Sequence, residues 1–220
     1  MENAIGTGWE ASAAALAERL RQAGDLRDPA WAAAVAGTPR HVLVPRAYEQ
    51  GADGGWVEVD ARGLAYSTTT LVTRVEGGRP VSSSTKPDLM VRMLEALAVR
   101  NGDRVLEIGT GTGYNAALLA HRLGDDSVYS VDVDRGLVES ARERLAGFGC
   151  RPHLAVADGV EGWPEHGPYD RIIATCAVPR IPKAWLDQVA DRRDSGRKSS
   201  VPTGSGVAGA DRGGNGLGSR

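Results

Sequence analysis

The sequence predicts an α/β fold built on a doubly wound, mostly parallel sheet, with a helical section before it. Three observations carry this prediction. From residue 82 to about 190, short apolar runs alternate with helical patterns, which implies strands joined through helices. The apolar run Val105–Leu106–Glu107–Ile108 stops at three alternating glycines, Gly109, Gly111 and Gly113, and Ala116, Leu118, Leu119 and Leu123 then recur at helical spacing. A second apolar strand, residues 128–131, follows and ends in Asp132. This is a strand–glycine loop–helix–strand unit of the nucleotide-binding kind, with its ligand expected at the C-terminal ends of the strands.

The elements read in order as follows. Residues 9 to 24 form an amphipathic helix with Trp9, Ala13, Leu16 and Leu20 on one side, and residues 29 to 36 form a second, Ala-rich helix. Pro39 to Pro45 reads as a short extended piece between two prolines. Residues 50 to 81 are punctuated by glycine, with β-like runs at Trp56–Val59 and Thr70–Val75, so irregular hairpins are expected. Ser82, Ser83, Ser84 and Thr85 precede Pro87, and Leu89, Met90, Met93, Leu94 and Leu97 then follow at helical spacing. Hydroxyls, an early proline and an apolar stripe signal a capped helix start. Leu137, Val138, Ala141 and Leu145 mark another helix. His153–Val156 and Arg171–Thr175 read as the third and fourth strands, and Pro182 to Val189 as helical. The domain expectation is therefore an N-terminal helical and irregular β section (1–81), a ligand-binding α/β domain (82–190) and a tail (191–220). The tail has no apolar run long enough for a strand, so the C-terminal strands are expected to be missing or disordered.

Bulk properties exclude several classes. The chain has 220 residues and a net charge of −2, enough for one α/β core and without the basic stripe of a general nucleic-acid surface. Two cysteines, Cys150 and Cys176, lie far apart without metal spacing, which points to a reducing cytoplasm and no metal. No segment approaches a membrane span, and the N-terminus lacks the pattern of a secretory signal.

The glycine spacing narrows the ligand. A dinucleotide fingerprint G-x-G-x-x-G counted from Gly109 falls on Tyr114 rather than glycine; counted from Gly111 it reaches Ala116, the tolerated variant, but puts Tyr114 in the tight turn. The order acid-x-G-x-G-x-G, with Glu107 inside the strand, instead resembles motif I of class I S-adenosylmethionine methyltransferases, which have a Rossmann-like sheet. That resemblance implies S-adenosylmethionine as cofactor, with the loop Gly109–Thr110–Gly111–Thr112–Gly113–Tyr114 beneath its methionine end and Asp132 on its ribose hydroxyls. The bland alternative is a glycine-rich turn in another α/β protein.

From Leu16 to about Val189 the chain resembles the protein-L-isoaspartate O-methyltransferase family and its actinobacterial relatives. The matching pieces are Leu26–Arg27–Asp28–Pro29, Pro39–Arg40–His41–Val42–Leu43–Val44–Pro45, the run from Asn101 to Tyr114, Asp158–Gly159, Gly162–Trp163, Pro168–Tyr169–Asp170, and Ile181–Pro182 with Leu186. Ser83–Ser84–Thr85–Lys86–Pro87 stands where the family has a hydroxyl-bearing T-I-S-x-P segment. The chain departs from the family in the longer 51–81 stretch, in the Ser-Ser-Thr version of the hydroxyl segment and in the C-terminal strands, although Val201–Pro202–Thr203–Gly204 looks like a remnant of the fifth-strand region.

The resemblance implies methyl transfer to a carboxylate on L-isoaspartyl residues of proteins or peptides. Relatives with a serine-rich segment suggest an alternative, an aspartyl methyltransferase of a peptide-maturation system, and the atypical tail suggests another, an inactive cofactor-binding fragment. A nucleic-acid methyltransferase is disfavoured because Thr175–Cys176–Ala177–Val178–Pro179 stands where an Asn/Asp-Pro-Pro-aromatic run belongs. A carboxylate is already nucleophilic at neutral pH, its unperturbed pKa being about 4. The site therefore needs orientation more than a base, and hydroxyl donors can aim a carboxylate without neutralising it.

By position in the family Thr85 is the key hydroxyl, with Ser84 and Ser83 beside it; for each, helix capping is the competing role. Asp158 with Gly159 is assigned to the adenine amino group, against a simple turn aspartate. Glu107 either orients the glycine loop through backbone N–H groups, reaches the cofactor's amino group, or is a structural buried acid. Tyr114 either lines the pocket or packs in the helix core. Cys176, Ala177 and Val178 are expected to floor the substrate site, without a nucleophilic role for the thiol.

Overall fold

A computed structural model of the chain describes residues 8–190, 201–203 and 206–208. Helix α1 (Trp9–Gln22) buries Ala13, Leu16, Ala17 and Leu20, one stripe at helical spacing. Helix α2 (Pro29–Gly37) starts where its sequence says it should: Pro29 takes the first turn, and the Asp28 carboxylate accepts the Ala30 N–H at 2.8 Å. The stretch between Pro39 and Pro45 is not extended. It closes one helical turn, α3 (Arg40–Leu43), because Arg40 and Leu43, three residues apart, both point inward and are fully buried.

Four antiparallel strands follow: β1 (Arg46–Gln50), β2 (Trp56–Asp60), β3 (Leu71–Glu76) and β4 (Arg79–Ser84), in the order β2-β1-β3-β4, with the short helix α4 (Ala61–Leu64) between β2 and β3. The region expected as irregular hairpins is thus one small regular sheet with its own core of Val44, Ala47, Ala61 and Leu71. The serines belong to its last strand, where Ser82, Ser83 and Ser84 pair with Arg74, Val72 and Leu71. Helix α5 (Pro87–Leu97) does begin at Pro87, but Lys86 stands at its N-cap and no side chain caps it. The capping role weighed for Ser83, Ser84 and Thr85 is therefore removed: extended backbone carries the serines past the helix end.

The larger sheet contains β5 (Val105–Ile108), β6 (Val128–Asp132), β7 (His153–Val156) and β8 (Arg171–Ala174), parallel and in the order β8-β5-β6-β7. Helices α6 (Tyr114–Leu123) and α7 (Arg135–Gly147) link β5 to β6 and β6 to β7, and α8 (Lys183–Gln188) follows β8. Alternation along the strands separates two cores. Val105 and Ile173 join α1, α2, α5 and α6 on one face, whereas Leu106, Ile108, Ile172 and Ala174 pack with Trp185 on the other. Since Leu16 and Trp31 share a cluster with Leu94, Leu118 and Val105, the N-terminal helices complete the first of these two cores together with one face of the parallel sheet.

The sheet does not stop at β8. Strand β9 (Val201–Thr203) pairs parallel with β8, and β10 (Gly206–Ala208) pairs antiparallel with β9, completing the order β10-β9-β8-β5-β6-β7. The expectation of missing C-terminal strands is corrected to that extent. Val201–Pro202–Thr203, read as a remnant, is itself a strand; backbone pairing with β8 replaces the long apolar run that the sequence lacks. The rest of the expected tail lies outside the described residues.

Candidate active site

The chain leaves β5 and turns back on the far side when it reaches β8, so a crevice opens between these strands at their C-terminal ends. A cavity of about 800 Å³ lies there, with one wall from the parallel sheet and its loops and the other from β3 and β4. It is lined by Ser83, Ser84 and Thr85 and by Glu107, Gly109, Thr110, Gly111, Tyr114, Asp132, Asp158 and Gly159. Residues 85 and 109, 24 positions apart in the chain, thus share one space. Gly113 is the exception. It is the left-handed N-cap of α6, and a Cβ there would stand 3.2 Å from both Ala141 Cβ and Leu145 Cδ1, so its place is in the packing of α7.

The glycine loop is held from both sides. Gly109 and Thr110 donate their N–H groups to Val131 O at 2.8 and 3.2 Å. Gly109 sits at φ 98° with Thr175 Oγ1 only 3.0 Å from where a Cβ would be, so a side chain is excluded by conformation and by space. Asp132 ends β6 and accepts the Gly111 N–H at 2.9 Å and the Asp134 N–H at 3.0 Å. One bond to each oxygen leaves half of its acceptor capacity for hydroxyl donors.

Glu107 is fully buried and does not bond to the loop backbone. Ser130 Oγ donates to its Oε2 at 2.6 Å and Asn115 Nδ2 to its Oε1 at 2.7 Å. Burial pushes this carboxyl up to about 7, against the pull of those two bonds, and the charge of Asp132 adds to the rise. Among the described residues the Asn115 Oδ1 is buried without a partner. Asp158 accepts the Val160 N–H at 2.9 Å, so it does shape its own turn, yet it also faces the cavity. Gly159 passes so near β5 that a Cβ would stand 2.5 Å from Ile108 Cγ2.

Tyr114 fulfils both of its readings: it lines the cavity and is buried in the main core, with its ring 5.0 Å below the Arg40 guanidinium. Cys176, Ala177 and Val178 line the cavity beyond β8; Cys176 is exposed at its mouth, and the partial desolvation there raises its thiol above the ordinary range, which disfavours a thiolate. Among the described residues no group of three metal-ligating side chains occurs, and no helix is long and apolar enough to cross a membrane.

Three parts of the site were not assigned from sequence. The wall contributed by Thr70, Val72, Pro80 and Val81 depended on the unrecognised antiparallel sheet. Asn115 was hidden in a helical pattern. Arg40 was visible only as part of the Pro39–Arg40–His41 match, although an arginine inside an otherwise apolar turn between two prolines is itself a signal.

A family profile described as protein-L-isoaspartate(D-aspartate) O-methyltransferase matches residues 11–205. The chain belongs to this family. A protein named protein-L-isoaspartate O-methyltransferase 2, from Pelobacter propionicus, is 39% identical over 175 residues, covering 79% of this chain and 68% of the relative. The Ignicoccus hospitalis protein-L-isoaspartate O-methyltransferase is 40% identical over 136 residues, covering 61% of this chain and 62% of the relative. A solved protein-L-isoaspartate O-methyltransferase superposes with a TM-score of 0.69 at 30% identity, covering 86% of this chain and 54% of that one. The chain therefore spans about two thirds of the curated relatives and about half of that solved chain. A Plasmodium falciparum methyltransferase, solved with S-adenosyl-L-homocysteine, superposes with a TM-score of 0.66 at 15% identity over 87% of this chain and 84% of its own, and supports the fold.

Proposed function

We propose that this chain is an S-adenosylmethionine-dependent carboxyl O-methyltransferase acting on L-isoaspartyl residues of proteins or peptides in a reducing cytoplasm. One observation carries the reading: the hydroxyl segment Ser83–Ser84–Thr85 and the acid-flanked glycine loop face one cavity that no lysine or arginine lines among the described residues. The residues suit the cofactor. Asp132 retains acceptor capacity for a ribose diol, Asp158 and Gly159 stand at the end of β7 for the adenine edge, and Asn115 offers a buried acceptor without a partner for an N–H donor. When bound, S-adenosylmethionine supplies a methyl group already activated on a sulfonium sulfur.

The chain's own residues then have a limited task. They must hold a carboxylate in line with that methyl and exclude water, which is catalysis by proximity and orientation. Thr85 is the assigned catalytic hydroxyl. It is half-buried in the cavity wall, and neither it nor Ser83 spends its hydroxyl on helix capping. A hydroxyl donor orients one carboxylate oxygen while leaving the other free to attack.

The test is to incubate the purified chain with methyl-labelled S-adenosylmethionine and an isoaspartyl peptide beside its normal aspartyl twin. Base-labile label on the isoaspartyl peptide alone is expected; label on neither refutes the function, and label on the aspartyl twin moves the substrate to normal aspartate. Thr85→Val is expected to abolish transfer while S-adenosylhomocysteine binding, read by calorimetry, persists. Unaltered turnover would remove Thr85 from the site.

A further inference from the structure

Arg40 is fully buried on α3 and lies one layer behind the cavity wall. Its Nη2 donates to Ser84 Oγ at 3.0 Å and to Thr85 O at 3.2 Å, and its Nη1 donates to Ala65 O at 2.8 Å. The guanidinium also lies over the Tyr114 ring, while its Nε, among the described residues, has no partner. None of these contacts is a carboxylate. A buried cation without a counter-ion is costly, and burial accordingly depresses the Arg40 pKa. The cavity in front of it has the opposite character, since its charged lining residues are Glu107, Asp132 and Asp158. Among the lining side chains a substrate carboxylate therefore meets acids and no cation, and the positive charge facing it would be the donor's own sulfonium.

We propose that Arg40 is a positioning residue that works through Ser84, fixing the direction of the Ser84 hydroxyl proton and adding, from behind the wall, positive charge to that of the bound sulfonium. The guanidinium has only donors, so its bond to Ser84 Oγ occupies an oxygen lone pair and leaves the Ser84 O–H to donate elsewhere. Ser84 lines the cavity, and in this role the acceptor of that donation is the substrate carboxylate. The bond to Thr85 O fixes the backbone of the neighbouring catalytic hydroxyl. The charge stays one hydroxyl removed from the nucleophile and attracts it without forming the direct ion pair that would dull it. The second guanidinium arm, on Ala65 O, ties this arrangement to the end of α4, in the connection between β2 and β3.

This inference rests on the carboxyl methyltransferase reading, and the experiment separates the two. Wild type, Arg40→Lys, Ser84→Ala and the double variant are compared for kcat and KM with the isoaspartyl peptide. They are also compared for peptide Kd in the presence of S-adenosylhomocysteine, and for the Kd of S-adenosylhomocysteine alone. Arg40→Lys keeps the charge but loses the fork that reaches Ser84 and Thr85 together. It is expected to lower kcat/KM and weaken peptide binding by about tenfold to a hundredfold, the range for a lost charge-assisted bond, with S-adenosylhomocysteine binding within about threefold of wild type. The double variant is expected to lose less than the two single losses combined, because both act on the Ser84 hydroxyl while Arg40 also holds Thr85 O.

Additive losses, or a parallel collapse of S-adenosylhomocysteine binding in a folded variant, would reduce Arg40 to a structural role. If Arg40→Lys does not fold, Ser84→Ala and Ser84→Thr decide. Loss of peptide binding in the first with recovery in the second supports the proposal, and unchanged peptide binding in Ser84→Ala overturns it. A wild-type chain that methylates neither peptide refutes the functional reading and the Arg40 role together. Wild-type methylation matched by Arg40→Lys at equal kcat/KM overturns the Arg40 role alone.

Discussion

Glu107→Gln isolates the energetic consequence of a carboxyl buried beneath the glycine loop. In the fold this group titrates near 7 rather than at its ordinary value of 4.5, chiefly because burial penalises the charged form. Between those two values the folded chain still holds a proton that the unfolded chain has released. Stability therefore falls as pH rises from about 4.5 to about 7 and levels off above it. At 1.36 kcal/mol per pKa unit the shift corresponds to about 3 kcal/mol. Glutamine keeps the side-chain shape, can still accept from Ser130 or Asn115, and cannot ionise. Urea denaturation of both proteins across this pH range, analysed by linear extrapolation, measures the effect. Contributions from carboxylates distant from Glu107 cancel in the difference between the two profiles, while the coupling to Asp132 is part of the measured effect. The wild type is expected to lose about 3 kcal/mol relative to the variant as pH rises through the window. Parallel profiles would mean that Glu107 titrates normally and that its buried environment does not govern its ionisation.

Two further substitutions test the loop geometry. Asp132→Asn leaves a single acceptor oxygen where two now serve Gly111 and Asp134, and it should weaken S-adenosylhomocysteine binding by about tenfold to a hundredfold by calorimetry. Gly159→Ala forces a Cβ against Ile108 Cγ2, a stiff branched side chain on β5, and is expected to cost about 1–3 kcal/mol by urea denaturation, together with a loss of affinity for S-adenosylhomocysteine.

The parallel sheet was legible because its inner strands β5, β6 and β8 are buried on both faces and read as short apolar runs, β5 stopping at a glycine and β6 at an acid. β5 and β8 are fully buried along their length, and both strands and their C-terminal loops were recognised. The antiparallel sheet resisted for the opposite reason. β1 reads Arg-Ala-Tyr-Glu-Gln, with a single buried residue, and carries almost no apolar periodicity. β4 contains Pro80 and three serines, which read as turn and cap; as the edge of its sheet it tolerates a proline that an inner strand would not. The same ambiguity disguised Ser83 and Ser84, whose types suit a helix N-cap as well as a strand end. Gly113 was assigned to the cofactor because the three glycines alternate in sequence, but alternation cannot show that the third one turns toward α7. Arg40 needed tertiary information, since its partners lie about 25 and 44 residues away in the chain.

The segment carrying Ser83, Ser84 and Thr85 lies at the junction between β4 and α5, and α5 is anchored in the main core by Met90, Leu94 and Leu97. These alcohols therefore do not ride on a free loop. Their alignment is inherited from the elements on either side, so a void created at Leu94, which does not line the cavity, would reach the proposed chemistry as a small error of aim. Proximity catalysis is sensitive to such errors, and the precision of this site accordingly originates in apolar packing some distance from it.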